Sequence, residues 1–172
     1  MSTLNSSATP AFKRALTVVA LATVLLVSAC GFRLQGRTPL PAALAYTYVI
    51  APDKQSDFVQ GLRKSLIASG AKLALDGEKA SGTVRILTDD VTQKTLSVSA
   101  NNIPREYELT YIVEFSVTAG GNEILAPQKV SVTRNYSFSE RALLAKENEE
   151  AILREGMARD LVDIVMRRLS SL

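Results

Sequence analysis

Chemistry in this chain has to be done with a short list of side chains. The 172 residues include no histidine and one cysteine, Cys30. Zinc sites built on those ligands, His-based triads and thiol–imidazole pairs are ruled out by composition. So is any disulfide within the chain. A Ser-Lys hydrolase would need a serine in a nucleophile motif, and none is present. Carboxylates stand together at Asp89-Asp90 and at Glu147, Glu149 and Glu150, but without EF-hand spacing, and they read as solvated surface. What remains is one thiol and a set of cations, of which Arg105, Arg134 and Lys146 stand out by position. These residues call for no metal or cofactor, and residue types alone leave a Ser-Lys hydrolase open only as a distant alternative.

The thiol has a distinctive setting. Lys13 and Arg14 precede an uninterrupted apolar or small stretch from Ala15 to Val27, and Ser28, Ala29 and Cys30 follow. Positive charge, a short apolar core and small residues are the layout of a secretory signal. The core is too short to span hydrocarbon, which takes about 20 residues. Val27-Ser28-Ala29-Cys30 resembles a lipobox, where bacterial lipoprotein processing attaches a diacylglycerol to the cysteine sulfur and cuts just before it. The resemblance implies that residues 1–29 are removed and that Cys30 carries the lipid, with fatty acyl chains such as palmitate. Each buried CH₂ contributes about 0.8 kcal/mol, so two or more chains anchor stably. Gly31, in the place where aspartate would redirect sorting, implies delivery to the outer membrane of a Gram-negative cell, lipid-anchored on the periplasmic side.

Removing residues 1–29 takes Lys13 and Arg14 away and lowers the net charge from +3 to +1. Such a balance does not suit a nucleic-acid binder, which needs a basic excess or stripe. The remaining chain is the size of one ordinary domain with one core. Residues 30–43, with two glycines and two prolines, read as a tether, and 44–172 as the folded domain.

The elements that must position the cations follow from hydrophobic spacing. Leu44–Ala51 reads as a first strand. Ser56 is a helix cap, and Phe58, Leu62 and Leu66 recur on one face of a helix over 56–69 that Gly70 ends. Ala71–Leu75 is a short strand candidate. Thr83–Thr88 is a strand that can run on through Val91 to Val98, and Asn101–Pro104 is a turn. Tyr107, Leu109, Tyr111, Val113, Phe115 and Val117 alternate with polar residues over Glu106–Thr118, which marks a strand with one buried face. Gly120-Gly121-Asn122 is a hairpin loop leading to a strand over about 126–138, where Pro127 must lie at the start or on an edge. A long last helix runs from Ser139 or Ala145 to Leu169. The predicted fold is an α+β two-layer sandwich, with two helices on one face of a mostly antiparallel four-stranded sheet. The other face, with Glu106, Glu108, Thr110 and Glu114, stays open to water or a partner. Arg134 interrupts an apolar alternation, as an inward charge that pairs with an acid or protects an edge.

Several motifs, in order, resemble the LptE family of lipopolysaccharide-assembly lipoproteins. Cys30-Gly-Phe-Arg-Leu-Gln-Gly36 resembles the family's mature N-terminus. Arg105-Glu-Tyr-Glu-Leu109 is similar to its "EY" strand. Arg134 to Phe138 followed by Leu144-Ala-Lys-Glu-Asn-Glu149 is similar to the segment that leads into its last helix. The resemblance extends from Cys30 to Leu172. It implies an outer-membrane protein that plugs the LptD β-barrel and takes part in lipopolysaccharide assembly, with LptD, lipopolysaccharide and the membrane as partners. Lys146 matches a family lysine implied to touch lipopolysaccharide phosphate. A family arginine is replaced here by Ala100, with Arg105 five residues on as its substitute. The alternative is a free-standing periplasmic lipid-binding lipoprotein auxiliary to a transporter.

Overall fold

The structure is a computed structural model that describes residues 39–137 and 143–172, with the backbone alone for 143–148. A single 3₁₀ turn, Ala42–Leu44, leads into strand β1 (Tyr46–Ile50), helix α1 (Asp57–Ala68) and strand β2 (Lys72–Leu73). Three long strands follow, β3 (Gly82–Val98), β4 (Pro104–Ala119) and β5 (Asn122–Ser137), and then helix α2 (Leu143–Ser170). The sheet order is β2-β1-β3-β4-β5.

The α+β class and the two-helix layer agree with the sequence reading, but the sheet does not. It has five strands of mixed direction rather than four mostly antiparallel ones, because β1 is parallel to both its neighbours, β2 and β3. The reason lies in two connections. Helix α1 carries the chain back from the end of β1, so the next strand starts level with the start of β1, with Tyr46 opposite Lys72. Strand β2 is then only two residues long. The loop after it has little length to retrace before β3 begins opposite Thr47, where a parallel crossover usually takes a dozen or more residues. Hydrophobic spacing carries no direction, and a two-residue strand has almost none to show.

The start of β3 is pinned to the start of the domain. The Ser81 hydroxyl lies 3.0 Å from each of the Ala43 and Tyr46 carbonyl oxygens, and the Tyr46 N–H donates to it at 3.0 Å. Gly82 is buried against the turn, and a Cβ there would stand 2.5 Å from the Ala43 carbonyl oxygen. The β4–β5 hairpin turns on Gly120 and Gly121, at φ 56° and 83°, the two positive angles a type I′ turn requires.

Strand β4 is the middle of the core. Leu109, Val113, Phe115 and Val117 are fully buried and Tyr111 nearly so. Over them lie Phe58, Val59, Leu62 and Leu66 of α1 and Met157, Leu161, Val165 and Leu169 of α2. Strand β3 keeps step only because Leu87 is an extra residue. Ile86 pairs with Phe115 and Thr88 with Glu114, which makes Leu87 a bulge. Before it the even-numbered residues Val84 and Ile86 face the helices; after it the odd-numbered Asp89, Val91 and Gln93 do, opposite Val113, Tyr111 and Leu109.

That shift brings Asp89 under the start of α1. Its carboxylate accepts the Ser56 hydroxyl, and the Tyr111 hydroxyl donates to it at 2.7 Å. Ser56 in turn accepts the Val59 N–H at 3.1 Å and caps the helix as its residue type predicts. Burial, with the Asp89 carboxylate beside it, pushes the Tyr111 phenol well above its ordinary range. At the outer edge of the sheet, Pro127 falls where Phe115 pairs with Gln128 and Val117 with Leu125. It is therefore on the edge strand and at a bulge, as proline must be.

The close approach at Gly82 yields a direct test. Gly82→Ala should cost about 1–3 kcal/mol, read as a lower urea midpoint with an unchanged slope. An unchanged midpoint would mean that the turn at Ala43 moves freely aside.

Candidate functional site

The residues singled out by sequence fall in different places. Cys30 lies outside the described residues. Lys146 is in the first turn of α2, with its side chain likewise outside them. Arg105 is exposed near the start of β4. Ser97 pairs with Glu106 and Val98 with Pro104, so Arg105 is itself an extra residue, at a place where the ladder is irregular and side chains are re-aimed. The end of β5 is level with it, since Glu106 pairs with Ser137. Helix α2 begins six residues after Ser137. Arg105 and the backbone of Lys146 thus belong to the same end of the domain, the end away from Ser81 and Gly82.

A polar and aromatic cluster holds α2 to that end. Tyr107 and Tyr136 stack with ring centres 5.3 Å apart and lie opposite one another on β4 and β5. The Gln93 amide donates to the Tyr136 oxygen at 2.8 Å, and the Tyr136 hydroxyl donates to Glu150 at 3.3 Å. Arg154 grips the other oxygen of Glu150 at 2.6 Å. Glu150 is one helical turn beyond Lys146, so this chain of contacts holds the turn that follows it. Further along, Arg134 of β5 pairs with Asp160 of α2 at 2.5 Å. Arg134 is opposite Leu109 and so lies on the helix side of an edge strand, paired with an acid as its interruption of the alternation suggests.

The same end exposes apolar side chains beside its cations. Leu96 and Val98 of β3 and Ile152 of α2 are exposed, close in sequence to Lys94, Arg105 and Lys146. A cationic and apolar end suits an anionic amphiphile, whose phosphates and acyl chains need both. The sheet face turned away from the helices is different. Thr88 meets Glu114, Ser97 meets Glu106 and Thr110 meets Thr133 through side-chain hydrogen bonds, which makes it a hydroxyl- and carboxylate-rich surface. Among the described residues there is no group of carboxylates able to hold a metal ion, and no helix long and apolar enough to cross a membrane.

Sequence reasoning did not find the Gln93–Tyr136–Glu150–Arg154 chain. Its members look like surface polar residues until the bulges set which face each occupies. The aromatic pair left a trace, since Tyr107 and Tyr136 each occupy an apolar position in their strand's alternation.

The profile of the LptE family, described as lipopolysaccharide-assembly, matches residues 44–169. An LPS-assembly lipoprotein LptE from Pectobacterium atrosepticum is 28% identical over 157 residues, covering 91% of this chain and 85% of that protein. One from Yersinia pestis is 29% identical, covering 91% and 75%. Among solved structures, the rare lipoprotein B of Shewanella oneidensis is similar with a TM-score of 0.64 at 27% identity, covering 73% of this chain and 94% of that one. Lipoprotein B of Nitrosomonas europaea is similar with a TM-score of 0.67 at 28% identity, covering 82% and 91%.

The cluster makes a prediction in alkali. Burial, and then the Glu150 carboxylate, push the Tyr136 phenol up to about 12, above the unfolded value of about 10. The folded state then binds more protons across that window, so stability should fall as pH rises from about 10 to about 12. Tyr136→Phe should remove its share of that slope and leave the share from Tyr111. Denaturant midpoints at pH 9 and 11 measure it, and an identical slope in both proteins would contradict the assignment.

Proposed function

The chain belongs to the LptE family, and on that premise we propose that it is a lipid-anchored outer-membrane lipoprotein that plugs the LptD β-barrel and helps place lipopolysaccharide at the cell surface. The observation that carries this is the family match, which takes in every strand of the sheet and nearly the whole of the last helix. The family is one of lipopolysaccharide assembly, not of enzymes, so shape and surface chemistry must account for what the protein does.

Two surfaces support the reading. The interior of a large outer-membrane barrel is polar, and the open sheet face, with its serine, threonine and glutamate side chains, suits such a wall. The far end of the domain brings Arg105 and the backbone turn that bears Lys146 to the end with exposed Leu96 and Val98, a pairing suited to the phosphates and acyl chains of lipopolysaccharide. Arg105 takes phosphate bidentately and Lys146 as a point charge. Cys30, acylated after loss of residues 1–29, holds the protein to the inner leaflet of that membrane, on its periplasmic side.

The test is purification of the mature protein from membranes in mild detergent, with mass analysis of its first residue. A lipidated Cys30 and an accompanying β-barrel protein are expected. An unmodified chain free in the periplasm, or one that brings no barrel, would contradict the reading. Lys146→Glu and Arg105→Glu together should weaken lipopolysaccharide capture by the purified protein at least tenfold, the ratio that about 1.4 kcal/mol of lost contact implies. They should leave barrel recovery unchanged.

A further inference from the structure

The two helices run in the same direction, and their last turns finish at the end of the sheet where the chain enters the fold. Helix α1 connects the end of β1 to the start of the parallel β2, so it runs against both. Helix α2 runs against β5, because Glu150 meets Tyr136 while Asp160 meets Arg134. β1 and β5 share a direction, β1 being parallel to β3 and β4 antiparallel to both β3 and β5. A Cβ on Gly61 would meet Val162 at 3.1 Å, which sets Gly61 level with Val162 and, by equal steps along parallel helices, Ala71 level with Leu172. At this end β2 lies beside the start of β1, and the 3₁₀ turn at Ala42 receives the chain from the tether.

This end is apolar and cationic together, with Lys72 on the sheet face away from the helices, since it pairs with Tyr46 next to the core-facing pair of Thr47 and Leu73. Leu75 is 96% exposed, Ile67 56% and Leu172 42%. Lys64, Lys72, Arg167 and Arg168 are exposed near them, and none of the four is in an ion pair among the described residues. Asp163, and Asp76 and Glu78 with Lys79 in the loop after β2, are the carboxylates alongside, so the cations are in excess. Isolated exposed apolar side chains need no explanation. Three at the end where the tether joins, interleaved with unpaired cations, do.

We infer that, in the lipidated protein before it enters its barrel, this end rests on the surface of an anionic phospholipid bilayer, with Leu75, Ile67 and Leu172 at the headgroup boundary and Lys72, Arg167 and Arg168 on lipid phosphates. The inference rests on the proposed acylation of Cys30, which holds the domain within a short tether of that surface. Apolar area in the boundary and cations on anionic headgroups are the two terms that bind interfacial segments. The anchor alone would fix the distance of the domain from the leaflet and not its orientation. This contact sets its orientation, with the Arg105 end pointing away from the leaflet.

Because acylation consumes the Cys30 thiol, a cysteine placed elsewhere in the lipidated full chain is its only reactive one. Leu75→Cys, Leu172→Cys and, at the opposite end, Val98→Cys are labelled with an environment-sensitive fluorophore. The proteins are then reconstituted in phosphatidylethanolamine–phosphatidylglycerol vesicles carrying spin-labelled lipid, and flotation scores vesicle attachment separately. Labels at 75 and 172 should be quenched at least twofold more than the label at 98, and Arg167→Glu with Arg168→Glu should abolish the difference at 172. Protein that floats with equal quenching at both ends, or with more at 98, overturns the inference and leaves the anchor intact. Shielding of 75 and 172 that needs an added β-barrel protein overturns it in favour of a protein partner. Protein that does not float contradicts the anchor and the inference together.

Discussion

Everything on the helix side of this sheet depends on the register of β3, which stays in step with β4 by leaving Leu87 out of the pairing. Strand β3 is long enough to run the whole length of the domain, yet its buried face is made by even-numbered residues before Leu87 and by odd-numbered residues after it. Without that change of step, a strand pairing with β4 would turn Asp89, Val91 and Gln93 toward solvent, since a slip of one residue exchanges the two faces. Asp89 would then lose Ser56 and Tyr111, and with them the tie between the start of α1 and the sheet. Gln93 would lose Tyr136, the first link in the chain that holds α2 at the far end. The bulge couples both helices to one register.

The result is a domain with an apolar interior on one side of its sheet only. Both helices cover the face that carries Leu109 to Val117, and the opposite face carries the Thr88–Glu114, Ser97–Glu106 and Thr110–Thr133 side-chain pairs. A protein built this way has little to gain from catalysis and much from contact. Its polar face can meet a polar wall, and its two ends differ in what they offer. One joins the tether; the other carries Arg105 and the first turn of α2. The stacked tyrosines and the Glu150–Arg154 contact tie α2 to that second end, and Arg105 is in no ion pair among the described residues.

Much of this was legible in the residues, and the failures share a cause. The strict alternation from Tyr107 to Val117 identified the central strand, Ser56 marked the cap of α1 that is found, and Gly120-Gly121 marked the hairpin. The position of Pro127 on an edge followed from its missing N–H. Strand direction did not follow, because parallel and antiparallel neighbours of β1 impose the same apolar spacing on Tyr46–Ile50. Bulges at Leu87 and Arg105 were equally hidden, since an extra residue is recognised only against the strand it pairs with. The site suffered most from this. Residues such as Gln93 and Glu150 are ordinary surface types, and their roles come from a register that hydrophobic spacing does not encode. Arg134 was the exception, because a charge within an apolar alternation asks for a partner, and Asp160 supplies it.

The most direct measurement of this dependence is denaturant unfolding of a chain from which Leu87 alone has been deleted, compared with one lacking Val91 alone. If Leu87 is the extra residue, its loss turns β3 into a regular strand, with Val84, Ile86 and Asp89 still on the helix side. The protein should then unfold cooperatively with only a modest fall in midpoint. Loss of Val91 should turn Gln93 outward and abolish the cooperative transition. Cooperative unfolding lost in the Leu87 deletion and kept in the Val91 deletion would contradict the account.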